Sequence, residues 1–122
     1  MKSGKHGIIR ILNAFRYSFN GFVATFRSEE AFRQDLLVCV LLVPIAIILP
    51  IHYIDKLFLF SGLFLVVLME LINTAFEMAI DRISDDYHDL SKVVKDIGSC
   101  LVLISFLYLF LVWGMILWKN FI

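Results

Sequence analysis

The chain is short of the residues that usually build soluble nucleotide sites and disulfide frameworks. Its 122 residues include six glycines and two prolines. None of the glycines forms a Walker loop or a GxGxxG pattern, so any nucleotide site must rest on side chains and metal instead of a glycine-rich cradle. There are two cysteines, Cys39 and Cys100, both inside apolar runs and without zinc or redox spacing. They read as small packing residues. Charge is also sparse. Eleven basic and eleven acidic residues cancel, leaving no electrostatic footprint for nucleic acid, and no nucleic-acid partner is expected. The N-terminus has no compact apolar core followed by small residues, so no cleavable signal peptide is expected.

What is abundant is hydrocarbon. The chain is 61% hydrophobic and 18% charged, with mean hydropathy +0.88. Soluble domains run at about half apolar and a quarter charged, so a membrane is the solvent that accommodates this excess. One small unit, 1–122, is expected to be a single all-α membrane domain. Residues 1–27 repeat apolar positions at helical spacing (Ile8, Ile11, Phe15, Phe19, Phe22, Phe26) with Arg10, Asn13, Asn20 and Arg27 mostly elsewhere. That pattern predicts an amphipathic helix lying in the headgroup plane. A polar break follows at 28–35, with Ser28 as the expected N-cap of the next helix. Three transmembrane helices are predicted at about 32–51, 56–83 and 97–118. Pro44 and Pro50 interrupt the first, as neighbours or water in a membrane protein permit. His52 reads as an exposed turn residue. So few spans leave little room for a private active-site cavity, and oligomerisation is expected.

The second span carries the anomaly. Glu70, Asn73, Glu77 and Asp81 are spaced 3, 4 and 4 residues apart, which makes one polar stripe on a helix whose other positions are Leu, Ile, Ala, Phe and Met. Counting about 1.5 Å per residue from position 57, Glu70 lies roughly 9 Å inside a ~30 Å hydrocarbon core and Glu77 at its edge. A charge at bilayer depth costs about 2.5–3.5 kcal/mol on insertion scales, so such residues call for a functional reason. Six of eleven Lys and Arg fall in 1–35 and three more in 82–95, against one each near 56 and 119. By the positive-inside rule the N-terminus and the second connection are cytoplasmic, and the stripe runs toward the cytosolic side.

These features leave three classes open: an interfacial enzyme acting on a lipid headgroup, a small multispan transporter, and a structural subunit whose stripe mediates helix association. Acidic groups from two segments could hold a hard cation such as Mg²⁺ together with phosphate. A buried Glu70 could take a proton from a lipid hydroxyl.

Beyond its patterning, the chain resembles a known family. The run Glu70-Leu71-Ile72-Asn73-Thr74-Ala75-x-Glu77, then Asp81-Arg82, Tyr87-His88, Leu90-Ser91 and Lys95-Asp96-Ile97-Gly98-Ser99, closely resembles the prokaryotic integral-membrane diacylglycerol kinases. The likeness extends through Arg10, Tyr17-Ser18, Gly21 and Glu29 followed by Ala31-Phe32-Arg33-Gln34. The resemblance implies a homotrimer of three-span subunits in the bacterial cytoplasmic (inner) membrane. It implies transfer of the ATP γ-phosphate to 1,2-diacylglycerol, giving phosphatidic acid, with Mg²⁺. By resemblance Glu70 is the general base with Asn73 beside it, and Glu29 and Glu77 are the metal-binding carboxylates. Arg10, Tyr17, Glu29, Glu77, Asp86, Tyr87, His88, Lys95 and Asp96 surround ATP. Glu70, Ser99, Ala31, Phe32, Arg33, Gln34, Asp35 and Trp113 contact the lipid substrate. The chain departs from the family where Lys92 replaces a familiar glycine, and where Asp35 and Asp86 stand for glutamate. A related branch phosphorylates undecaprenol; Asp81-Arg82, Gly98-Ser99 and the long N-terminus look more like the diacylglycerol branch.

Overall fold

The computed structural model describes residues 6–122, so the first five residues of the expected surface helix lie outside the described residues. The remainder is all helical: α1 (Ile8–Ser28), α2 (Glu30–Ile48), α3 (Tyr53–Ile83) and α4 (Asp89–Phe121). The last three are each long and apolar enough to cross a membrane. At about 1.5 Å per residue, α3 and α4 are roughly 46 and 50 Å long, well beyond a ~30 Å hydrocarbon core.

Local chemistry sets the helix ends. The sequence places a cap at Ser28, but α1 runs through Ser28 and the chain breaks only at Glu29, whose φ of −118° and ψ of 112° are extended. The Glu29 carboxylate makes no capping bond, so it is left free to project. Arg33 caps the other side of the break by donating to the carbonyls of Phe26 (2.7 Å) and Arg27 (3.2 Å). Helix α2 ends at Ile48, because Leu49 precedes Pro50 and is pushed out of the helical region. Helix α3 begins at Tyr53, a few residues ahead of the expected 56. His52 makes this start possible by accepting a bond from Ile54 N at its Nδ1, 3.2 Å. His88 does the same for Leu90 N at 3.1 Å, so α4 starts at Asp89 and carries a polar first turn ahead of its apolar 97–118 stretch.

Packing is concentrated between α3 and α4. The buried residues of α3 (Asp55, Leu59, Gly62, Leu63, Val66, Glu70 and Thr74) recur every three or four positions and define one inward face. Leu63 and Val66 form the core with Leu109 of α4, flanked by Cys39, Leu42 and Val43 of α2 and by Phe106 and Trp113. The two long helices are tied along their length. Asp55, 6% exposed, accepts bonds from Lys119 and Asn120 at 3.2 Å. Trp113 Nε1 donates to the Leu59 carbonyl at 3.1 Å, and the Ser61 and Tyr108 hydroxyls hydrogen-bond at 2.9 Å. Small residues let the backbones approach: a Cβ placed on Gly62 would stand 2.9 Å from Leu109 Cδ1 and 3.2 Å from its Cα.

The surface is that of a lipid-solvated chain. Its accessible area is 9125 Å² for 14.1 kDa, where a soluble monomer of that mass exposes about 6,700 Å². Many large apolar side chains stand exposed, among them Leu41, Ile48, Phe64, Leu107 and Phe110.

Candidate active site

Glu70 sits on the inward face of α3 and is only 6% exposed. The polar stripe therefore continues the packing face, and the carboxylate does not point into lipid. Its carboxyl faces that of Asp35 on α2, and the charges of Glu29 and Glu77 act on it as well. Asp35 Oδ2 is buried and finds no donor, since two carboxylates facing one another offer acceptors only. One turn beyond, Asn73 Nδ2 donates to Glu77 Oε1 at 3.3 Å.

Glu29 closes this neighbourhood from the break between α1 and α2. Burial, and after it the Glu77 charge, push the Glu29 carboxyl above the ordinary carboxylate range. Arg33 pulls against this and Asp81 adds to it. The chain thus gathers acids that its own cations incompletely neutralise.

A second neighbourhood lies where α3 leads into α4. A cavity of about 420 Å³ is lined by Asp81, Ser84, Asp85, Asp86, Tyr87, His88, Ser91, Lys92, Lys95 and Asp96, with Ile80 as its apolar floor. Lys95 joins the two neighbourhoods: its Nζ donates to Asp81 Oδ1 at 2.8 Å, and the Glu77 charge acts on it as well. Lys92 pairs with Asp96 at 2.6 Å, an i,i+4 pair on the exposed side.

The sequence-derived residues fall into groups. Asp86, Tyr87, His88, Lys95 and Asp96 come together in the cavity. Glu29, Asp35, Glu70, Asn73 and Glu77 form the acidic neighbourhood. Arg10 and Tyr17 stand exposed on α1, Tyr17 under the Arg16 guanidinium at 5.4 Å, and neither lines the cavity. Ala31, Gln34 and Ser99 are exposed, while Phe32 is fully buried, edge-on to Phe22 at 5.2 Å. Arg33 is engaged in capping α1 and Trp113 in its bond to α3, far along α4 from Glu70. Ser84, Asp85, Ser91 and Lys92 also line the cavity and were not among the sequence-derived site residues. Their signal is present, because they share one polar connection with the residues that were.

Metal competence can be tested on the donor set. Among the described residues no three His, Cys, Asp or Glu side chains gather as a closed ligand shell. As a donor set, the two carboxylates Glu29 and Glu77 suit a cation that keeps waters and shares its shell with phosphates, the habit of Mg²⁺ and not of Zn²⁺.

Three helices able to cross a membrane, with a buried Glu70 beside Asp35 and a mixed-charge cavity where α3 leads into α4, suit an enzyme of the membrane. Residues 16–117 match the family model described as prokaryotic diacylglycerol kinase. The chain is 38% identical over 121 residues to the diacylglycerol kinase of Escherichia coli K12, covering 99% of both chains. It is 40% identical over 114 residues to that of Pseudomonas aeruginosa PAO1, covering 93% of each. It is 35% identical to that of Haemophilus influenzae Rd, covering 91% of this chain and 94% of the relative. The chain belongs to the prokaryotic diacylglycerol kinase family, and it is an enzyme, a membrane kinase.

Proposed function

We propose that the protein transfers the γ-phosphate of ATP to the free hydroxyl of 1,2-diacylglycerol, giving phosphatidic acid, at the cytoplasmic face of the bacterial inner membrane. The observation that carries the reading is Glu70, a carboxyl buried on the packing face of α3, in contact with Asp35 and one helical turn from Asn73. Full-length similarity to relatives named diacylglycerol kinase supports the choice of acceptor.

In this reading Glu70 accepts the proton of the lipid hydroxyl as its oxygen bonds to the γ-phosphorus and the bond to the β-phosphate oxygen breaks. Asn73 orients the acceptor or the base. Glu29 and Glu77 hold Mg²⁺, which when bound neutralises phosphate oxygens. Lys95, Asp96, Asp86, Tyr87 and His88 surround the nucleotide, where Lys95 offers charge to phosphate. Arg10 and Tyr17, which do not line the cavity of their own chain, reach the nucleotide of a neighbouring subunit from α1, which rests in the headgroup plane with Ile8, Ile11, Phe15 and Phe19 in lipid. Ala31, Arg33, Gln34, Asp35, Ser99 and Trp113 contact the lipid, and Phe32, fully buried against Phe22, backs that segment. The unit is a homotrimer with a cytoplasmic N-terminus; the unpaired apolar faces of α2 to α4 and the lysine and arginine distribution support this.

Purified protein in mixed micelles with MgATP and each lipid separately tests the reading. Phosphate transfer to diacylglycerol is expected. Transfer to undecaprenol alone reassigns the substrate, and transfer to neither defeats the proposed acceptor.

A further inference from the structure

Asn73 and Gly98 meet across the α3–α4 interface at an unusually close approach. A Cβ placed on Gly98 would overlap Asn73 Oδ1, and would stand 3.1 Å from Cγ and 3.5 Å from Cα of that residue. Asn73 Oδ1 is also buried with no hydrogen-bond donor. The other end of the amide is used, since Nδ2 donates to Glu77 Oε1 at 3.3 Å. Turning the amide over would set two acceptors, Asn73 Oδ1 and Glu77 Oε1, against each other, so the bond to Glu77 fixes which end faces α4. Facing that end is a bare Cα, which a carbonyl oxygen accepts as a weak C–H partner. Any side chain at position 98 fills the space that the amide oxygen occupies.

We infer that Gly98 is a positioning residue for the reaction: its bare Cα seats the Asn73 amide so that Nδ2 grips one oxygen of Glu77 and leaves the other to the cation. This rests on the reading of Glu77 as a metal-binding carboxylate. The contrast is Gly62, where the same two helices also approach closely but the three atoms nearest the added Cβ all belong to Leu109. A merely structural glycine at 98 behaves like Gly62; a positioning glycine acts on Glu77 through Asn73.

The test uses the full chain in micelles. Gly98→Ala should raise the Mg²⁺ concentration needed for half-activation about 10- to 100-fold, the range seen for residues that orient metal ligands. Mn²⁺ titration followed by electron paramagnetic resonance should weaken by the same factor, without reference to turnover. In metal-free protein labelled with ¹⁵N-asparagine, the Asn73 side-chain amide should shift in Gly98→Ala and stay in place in Gly62→Ala. The pair Asn73→Ala and Asn73→Ala/Gly98→Ala removes the overlap and so stays foldable. The second substitution should add nothing to the Mn²⁺ affinity of the first, the mark of a glycine acting through that amide. An added loss in the double variant overturns the inference. So does an unmoved Asn73 resonance or an unchanged Mn²⁺ affinity in folded Gly98→Ala. Wild-type protein that phosphorylates neither lipid defeats the functional reading instead, while the Asn73 resonance still reports on the seat.

Discussion

Glu70→Gln should move activity and stability in opposite directions. The replacement has nearly the same shape, so the 6% exposed site stays filled and no cavity opens. Loss of a positioned general base lowers kcat by about 10²- to 10⁴-fold, or about 2.7–5.5 kcal/mol at 1.36 kcal/mol per decade. The same change puts an amide opposite Asp35. Its Nε2 can donate to the Asp35 Oδ2 that now has no donor, relieving an unsatisfied buried acceptor worth about 1–3 kcal/mol. Glu70→Gln should therefore unfold at a higher temperature than the wild type while being nearly inactive. The assay couples ADP release to NADH oxidation with diacylglycerol in mixed micelles; thermal unfolding is followed by circular dichroism in the same micelles. Activity above about a tenth of wild type would remove Glu70 from the base role, being far outside the general-base range. A lower midpoint would refute the carboxyl–carboxyl contact, and both measurements come from one preparation.

Glu29→Gln should raise the unfolding temperature of metal-free protein at neutral pH, because burial and the Glu77 charge penalise the ionised Glu29; it should also abolish the added stability that Mg²⁺ gives the wild type, as thermal melts with and without Mg²⁺ will show. The sign follows from linkage: a carboxyl raised in the folded state contributes stability below its unfolded value near 4.5 and loses it as pH climbs through the folded value. Asp81→Asn breaks the pair with Lys95, both partners being more than two-fifths exposed, and should cost no more than about 1 kcal/mol by denaturant titration. Lys95→Met, in contrast, should raise the KM for ATP at least tenfold in steady-state kinetics. Trp113→Phe removes the donor to the Leu59 carbonyl and should lower stability by about 0.5–1.5 kcal/mol without altering the KM for ATP.

The three membrane-spanning helices were legible because hydropathy reports directly on solvent, and the polar stripe was legible because 3-4-4 spacing admits only one helical face. The Asn73–Glu77 bond is that spacing made physical. Helix ends were less legible. His52 and His88 cap through Nδ1, yet histidine is outside the usual set of Ser, Thr, Asp and Asn. Ser28, which belongs to that set, was bypassed because Arg33 secures the end of α1 and the break moves to Glu29. Asp35 was assigned to the lipid by resemblance. Its meeting with Glu70 depends on how α2 packs on α3, which no local pattern encodes. Asp81 is legible in sequence as the end of the polar stripe, but its partner is set by the antiparallel return of α4, which brings Lys95 to it from fourteen residues away.

The ties between α3 and α4 have a consequence for the order in which the molecule opens. The pair is fastened at one end by Asp55 to Lys119 and Asn120, along its length by Trp113 and Ser61–Tyr108, and at the other end by Asp81–Lys95. Among the described residues α2 is joined to α3 by one such bond, Lys56 Nζ to the Ile47 carbonyl at 2.6 Å, and otherwise by apolar contact and the Asp35–Glu70 meeting. In amide hydrogen exchange, α3 and α4 form the slow cooperative unit and α2 the one that detaches first. Since α2 carries one of the two carboxyls at the buried site, the wall that breathes is the wall through which a bilayer-borne acceptor can arrive.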